Sequence, residues 1–235
     1  MDTQNKRAVV FGGSSGIGLA AVQRLAASGA EVTAVSRNPD RAQSSVPGGV
    51  RLVACDVRDR DALATLFEEL APLDILVNAA TGGKRPSGPF LKVDLDAYQG
   101  AFEKLWGYTN TVRLGAGHMT ADGAIVLVSG APARRSRAGQ TALASVGGAV
   151  EAFCRAVAVE IAPRRINVVS PGIINTPMFG PDESQREAML SKATSRHLID
   201  RPGTAEEVAS AILFVIENDF VTGTTVDVDG GWILT

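Results

Sequence analysis

The chain has 235 residues, 45% of them hydrophobic and 20% charged, with a formal net charge of −2 and a pI of about 5.8. That balance offers no electrostatic footprint for nucleic acid or for an anionic membrane, and neither partner is expected. Only two cysteines and two histidines occur, with no Cys cluster, so a transition-metal site has no evident ligand set.

The length suits one α/β domain burying about 70–75% of the surface its unfolded chain exposes. The opening MDTQNKR lacks an apolar core and no run approaches 18 apolar residues, so neither a leader nor a membrane span is expected and the cytoplasm is the default location. Cys55, at a strand end, and Cys154, in a helical pattern, read as small buried hydrophobes rather than as a disulfide.

Short β-branched runs recur at 8–11, 31–35, 51–55, 75–77, 124–128, 166–169 and 225–228, with helical stretches between them. Such alternation predicts a parallel sheet whose right-handed crossovers place helices on both faces. No repeat and no long polar linker divides the chain. In open sheets of this kind a ligand lies beyond the carboxyl ends of the strands, so each strand end is informative.

The first strand runs directly into VVFGGSSGIGL at 9–19. Gly12, Gly16 and Gly18 allow a sharp turn close to a pyrophosphate, which would sit on the free N–H groups of the following helix; Ser14, Ser15 and Ile17 share that cradle. A purely structural glycine-rich turn is the alternative. The second strand ends in Ser36, Arg37 and Asn38, where an acidic residue would bind a free ribose 2′-hydroxyl. None is present there. The Arg37 guanidinium fork and the Ser36 hydroxyl suit a 2′-phosphate, favouring NADP(H) over NAD(H), unless Arg37 is only a solvated loop residue.

GGSSGIG at 12–18, CDV at 55–57, NAA at 78–80, VSPGIINTPM at 169–178 and DVDGGW at 227–232 together resemble the short-chain dehydrogenase/reductase family over the whole length. The resemblance implies a single-domain, Rossmann-like doubly wound α/β fold over 1–235, with a seven-stranded, mostly parallel sheet and helices on both faces. It also implies that Asp56 and Val57 border an adenine ring, and that Asn78, Ala79 and Ala80 let the backbone approach the adenosine ribose. Pro171, Gly172, Ile174 and Thr176 would lie along the nicotinamide, with the Thr176 hydroxyl near its carboxamide. The family usually reads Asn-Asn-Ala-Gly after the fourth strand. Ala79 and Thr81 here remove a polar tie, so local repacking is expected, while Gly82 and Gly83 keep the turn pliable.

The family relay uses a Tyr hydroxyl, a Lys four residues later, a Ser and an Asn. Its chemical logic is that hydride arriving at a carbonyl carbon leaves charge on oxygen, so a proton donor of lowered pKa must lie in reach. No Tyr-x-x-x-Lys occurs; the tyrosines are Tyr98 and Tyr108. The landmarks at 149–153 and Glu160 place Leu143 at the Tyr position and Gly147 at the Lys position. The Ser falls at Gly130, or at Ser129 after a one-residue shift, and the register set by Gly107 puts Lys104 at the Asn. Gly147 and Gly148 in mid-helix point to close packing or to room for a ligand.

Lys104 and Ser129 are therefore the catalytic candidates. Lys104 would replace the missing helix Lys, holding the nicotinamide ribose or donating the proton from a pKa lowered by burial; a solvated or salt-bridged helix Lys is the alternative. Lys84, Arg85, Arg134, Arg135 and Arg137 gather near the expected substrate mouth and suit an anion, unless they are plain solvated surface. His118 reads as a cation at a helix C-terminus. His197 lies in a variable stretch before Pro202, and Met178, Phe179 and Met189 supply apolar lining. The leading expectation is an NADP(H) oxidoreductase acting on a small molecule, a carbonyl or a conjugated alkene, with an unconventional proton donor. The alternatives are a catalytically silent NADP(H)-binding pseudoenzyme, redox sensor or partner subunit, and, more weakly, an isomerase, epimerase or lyase. The terminal DVDGGWILT resembles a subunit-joining tail, which implies a homotetramer or dimer.

Overall fold

The computed structural model describes residues 1–81 and 85–235. Gly82 and Gly83, expected to keep a turn pliable, and Lys84, expected in the basic cluster, lie outside the described residues.

Seven parallel strands form one sheet in the order β3-β2-β1-β4-β5-β6-β7. They are β1 (Arg7–Phe11), β2 (Glu31–Ser36), β3 (Arg51–Ala54), β4 (Leu73–Asn78), β5 (Met119–Val128), β6 (Arg165–Pro171) and β7 (Thr225–Val228). Every residue of β4 and β6 is buried, because helices cover both faces and leave no solvated side for an alternating pattern. Successive side chains point to opposite faces, so neighbouring Val9 and Val10 belong to different cores.

On one face α1 (Gly16–Ala27) and α7 (Ala205–Glu217) pack Val22, Leu25, Ile212 and Val215 against Val10, Val77 and Val126. On the other, α2 (Arg60–Leu70), α4 (Glu103–Gly115) and α5 (Thr141–Ile161) bring Leu63, Phe67, Tyr108, Val150 and Cys154 onto Phe11, Leu76 and Ile125. The short α3 (Leu95–Ala101) and the outlying α6 (Glu183–Thr194) complete the set. Both cysteines are free and buried.

Helix α5 is the longest and among the most apolar of the helices. It spans 21 residues, and an 18-residue window of it has a mean hydropathy of 1.5, long and apolar enough to cross a membrane by length and composition. Glu151 and Arg155 interrupt the run to the eye without lowering its average much. Its inner stripe of Ala142, Val146, Val150 and Cys154 is buried within the fold.

The helix starts are not equivalent. Asp59, Asp94 and Asp182 accept backbone N–H bonds at the starts of α2, α3 and α6, and Thr204 forms a reciprocal capping box with Glu207 at α7. The starts of α4 and α5 have no side-chain cap, and at α1 the N-cap Ser15 makes none either and no acid occupies the first turn. Its N–H groups are left to another acceptor, at the carboxyl end of β1.

Candidate active site

Strand order reverses between β1 and β4, and a cleft of about 720 Å³ opens there beyond the strand ends. Of the expected site residues, all line this cleft except Asn78.

The floor is the β1–α1 turn. Gly12 has φ +79° and Gly16 φ +52°, a region L side chains rarely adopt. A Cβ on Gly12 would meet the Ala80 nitrogen at 2.7 Å, and one on Gly18 would collide with the Gly12 carbonyl. These glycines keep a backbone cradle open in front of the uncapped α1, an arrangement suited to a phosphate.

At the end of β2, the buried Ser36 hydroxyl has no hydrogen-bond partner among the described residues, and Arg37 lies beside it in the cleft wall. Arg41 joins them from the 3-10 turn Pro39–Ala42. Sequence reasoning missed Arg41; its only signal is its place four residues after Arg37. Asp56, past β3, accepts the Arg58 backbone N–H at 2.9 Å and pairs with the Arg58 side chain at 3.4 Å. Burial pushes the Asp56 carboxyl up, but the Arg58 bonds and the Arg37 charge outweigh it and hold the group below the usual range. It is an ionised acceptor.

Asn78 stands beneath the cleft, with no surface of its own exposed. Its amide donates to the Thr111 hydroxyl at 2.8 Å and its carbonyl accepts the Ala80 N–H at 3.0 Å. Asn78 thus shapes the Ala79–Ala80 turn from behind instead of contacting a ligand. After β6, the Pro171–Gly172 backbone runs beside Asp229, which a Cβ on Gly172 would meet at 2.7 Å. Ile174 bridges to Gly203, and the buried Thr176 faces Gly16 across the cleft.

The Lys104 side chain leaves α4 for the cleft interior. Its Nζ donates to the Ser129 carbonyl at 3.1 Å and lies 5.5 Å from the Tyr108 ring centroid. Burial, with the Arg85 charge adding to it, lowers its pKa to about 7. Among the described residues no carboxylate pairs with it, so it is not salt-bridged, and its half-buried side chain lines the cleft.

Ser129 differs from expectation. Its hydroxyl donates to the Glu151 carboxylate at 3.2 Å in the interior, and its carbonyl is the group that meets Lys104. Burial pushes Glu151 up, against the lowering from Ser129 and from Arg134 at 3.7 Å.

Leu143 lines the cleft, and Gly147 lies against the 3-10 turn Ala131–Ala133, where a Cβ would meet the Ala133 Cβ at 2.8 Å. Close packing, not space for a ligand, explains that glycine. Tyr108 is buried, donates to the Val128 carbonyl at 3.0 Å, and has its hydroxyl pKa pushed up by burial, while Tyr98 pairs with Ser145 outside the cleft.

The basic cluster does not converge as a group. Arg134 pairs with Glu151 and Asp227, Arg135 donates to the Ile233 carbonyl, and Arg137 stacks 4.8 Å over Trp232. Arg85 alone of the described four reaches the inner cleft. Met178 and Phe179 line it, whereas Met189 stays on the outer side of α6. His118, in a 3-10 turn after α4, stacks on Phe67, and the buried His197 packs against Trp232 at 5.5 Å.

The pattern of a family described as enoyl-(acyl carrier protein) reductase matches residues 12–233. A short-chain reductase protein, NovJ, of Streptomyces niveus is 33% identical over 251 residues, covering 97% of this chain and 94% of that protein. Carbonyl reductase family member 4 of Danio rerio is 34% identical over 239 residues, covering 97% and 98%. Among solved structures, BdcA in complex with NADPH superposes with a TM-score of 0.82 at 31% identity, covering 97% of this chain and 94% of that one. The sheet order, the glycine cradle and these relatives agree that the chain belongs to the short-chain dehydrogenase/reductase family.

Proposed function

We propose that the protein is an NADP(H)-dependent oxidoreductase for a small carbonyl compound or conjugated alkene, with Lys104 as the proton donor. The cleft residues fit the dinucleotide. The uncapped α1 and the Gly12–Gly18 cradle would hold the pyrophosphate, and Ser36, Arg37 and Arg41 the 2′-phosphate. Asp56 and Val57 would border the adenine, Ala79 and Ala80 the ribose, and Pro171, Gly172, Ile174 and Thr176 the nicotinamide. When bound, the nicotinamide supplies or takes the hydride. Lys104 then holds a proton for the substrate atom that gains charge, and the Ser129 carbonyl aims it.

This reading includes a departure from the family relay, with Leu143, Gly147 and Lys104 at its Tyr, Lys and Asn positions. One observation carries it: a half-buried lysine with no carboxylate partner among the described residues, its pKa lowered by desolvation to about 7, stands inside the cleft with its Nζ on the Ser129 carbonyl. The packing of Ala133 against Gly147 favours the second reading, a silent NADP(H) binder, because no lysine stem has space there. Subunit association as a dimer or tetramer is part of the proposal, supported by exposed Trp106, Val159 and Leu234.

The test is a fluorescence titration with NADPH and NADH, followed by loss of the nicotinamide absorbance with pooled ketones, imines and enones. Tighter NADPH binding with turnover is expected. Binding without turnover on any pool selects the silent binder, and no binding removes the cofactor assignment.

A further inference from the structure

Arg85 begins at the exposed mouth of the cleft and sends its guanidinium inward against the Met178 sulfur. Loss of hydration there holds its pKa below the ordinary arginine value, and its charge in turn lowers Lys104. Two cations therefore face one space. Like charges brought together out of water repel, and proteins normally offset this with a carboxylate. Two other arginines of the region follow that rule: Arg58 has Asp56 and Glu103, and Arg134 has Glu151 and Asp227.

Arg85 and Lys104 have no such partner among the described residues, and Gly82, Gly83 and Lys84 contain no carboxylate to supply one. Both side chains also line a recess of about 60 Å³ that continues the cleft between Leu143, Ala142 and Gly130. Apart from Thr81 and Ser129, whose carbonyl accepts one Lys104 N–H, its walls are apolar, and no negative charge there answers the two cations. A planar five-donor fork beside a compact ammonium matches an oxyanion with two oxygens.

We infer that Arg85 and Lys104 form a recognition site for a carboxylate carried by the substrate, next to the position where the reaction takes place. The inference rests on the oxidoreductase reading for its substrate and narrows that substrate to an oxo acid or an unsaturated acid. Arg85 is the specificity-determining residue; its fork anchors the carboxylate. Met178, Phe179 and Leu143 then cover the remainder of a short apolar acid.

Calorimetric titration of the NADP⁺-loaded protein with matched pairs tests this: acetate and acetamide, benzoate and benzamide, cinnamate and cinnamamide. At least one acid is expected to bind about tenfold tighter than its amide, as charge-assisted bonds to two cations require. Arg85→Met should reduce that preference to about twofold, and Arg85→Lys should keep part of it, since charge remains while the fork is lost. Equal binding of every acid and amide overturns the inference, as does a failure of all three acids to bind up to their solubility. An acid preference that survives in both Arg85→Met and Lys104→Met also overturns it. NADP⁺ binding is measured separately, and the same pairs are titrated without nucleotide. Absence of NADP⁺ binding therefore counts against the oxidoreductase reading alone.

Discussion

Arg37 is a one-residue test of nucleotide choice. Its guanidinium and the Ser36 hydroxyl, unpartnered among the described residues, stand with Asn38 and Arg41 at the end of β2, where the strand-end acid that serves a free 2′-hydroxyl is replaced by Arg37. Arg37→Ala should weaken NADPH binding about tenfold or more and leave NADH within about twofold, read by fluorescence titration. Equal losses for both nucleotides would remove the 2′-phosphate role. The sequence showed Arg37 because it follows a β-branched run directly, but it hid Arg41, which only the 3-10 turn Pro39–Ala42 brings round. Lys104 was legible for a similar reason, since Gly107 fixes its helical register. The course of Arg85 was not. A loop cation's direction depends on what surrounds it, and three of its basic neighbours turned to local partners instead. The Ser129 hydroxyl also escaped prediction, because Glu151 lies 22 residues away in sequence and meets it only when α5 packs on β5.

At the scale of elements, α5 and the Ala131–Ala133 turn are joined by a contact that leaves no room for a side chain at residue 147. Gly147→Ala gains about 1 kcal/mol of helix propensity, yet it forces two methyl groups to 2.8 Å, and overpacking of that kind costs about 1–3 kcal/mol. A net loss of stability is expected in urea unfolding. Ala133→Gly in the same chain should restore it, and a double variant no more stable than Gly147→Ala would refute the contact as the cause. The strands were readable to within a residue or two at most ends, because parallel strands buried on both faces must be apolar runs. The start of β5 was the exception: pairing of Leu73 with Met119 extends it across an irregularity that polar Thr120 and Asp122 conceal. The unusual length of apolar α5 was obscured by Glu151 and Arg155, whose charges break the pattern without exposing the helix's inner stripe.

For the whole molecule, exposed Trp106, Val159 and Leu234 lead to an expected solution mass of a dimer or tetramer by light scattering; a monomer across the accessible concentration range would contradict the proposed association. The cleft proposed for the nucleotide and the recess proposed for a carboxylate share Arg85, Lys104 and Leu143 in their linings, so the two proposals concern one continuous space. The most direct measurement is the pH dependence of NADPH oxidation with an oxo acid or enone acid in the wild type and in Lys104→Met. A donor with a pKa of about 7 is protonated below that pH and loses its proton above it. The wild-type kcat/KM, which reports the substrate-free enzyme, should therefore be level in acid and fall about tenfold per unit on the alkaline side, while in kcat the fall moves to higher pH because the bound carboxylate raises the lysine; Lys104→Met should lose about a hundredfold or more while still binding NADPH. NADPH binding with no turnover on any such substrate, or a Lys104→Met variant with the wild-type rate and profile, would contradict catalysis by Lys104.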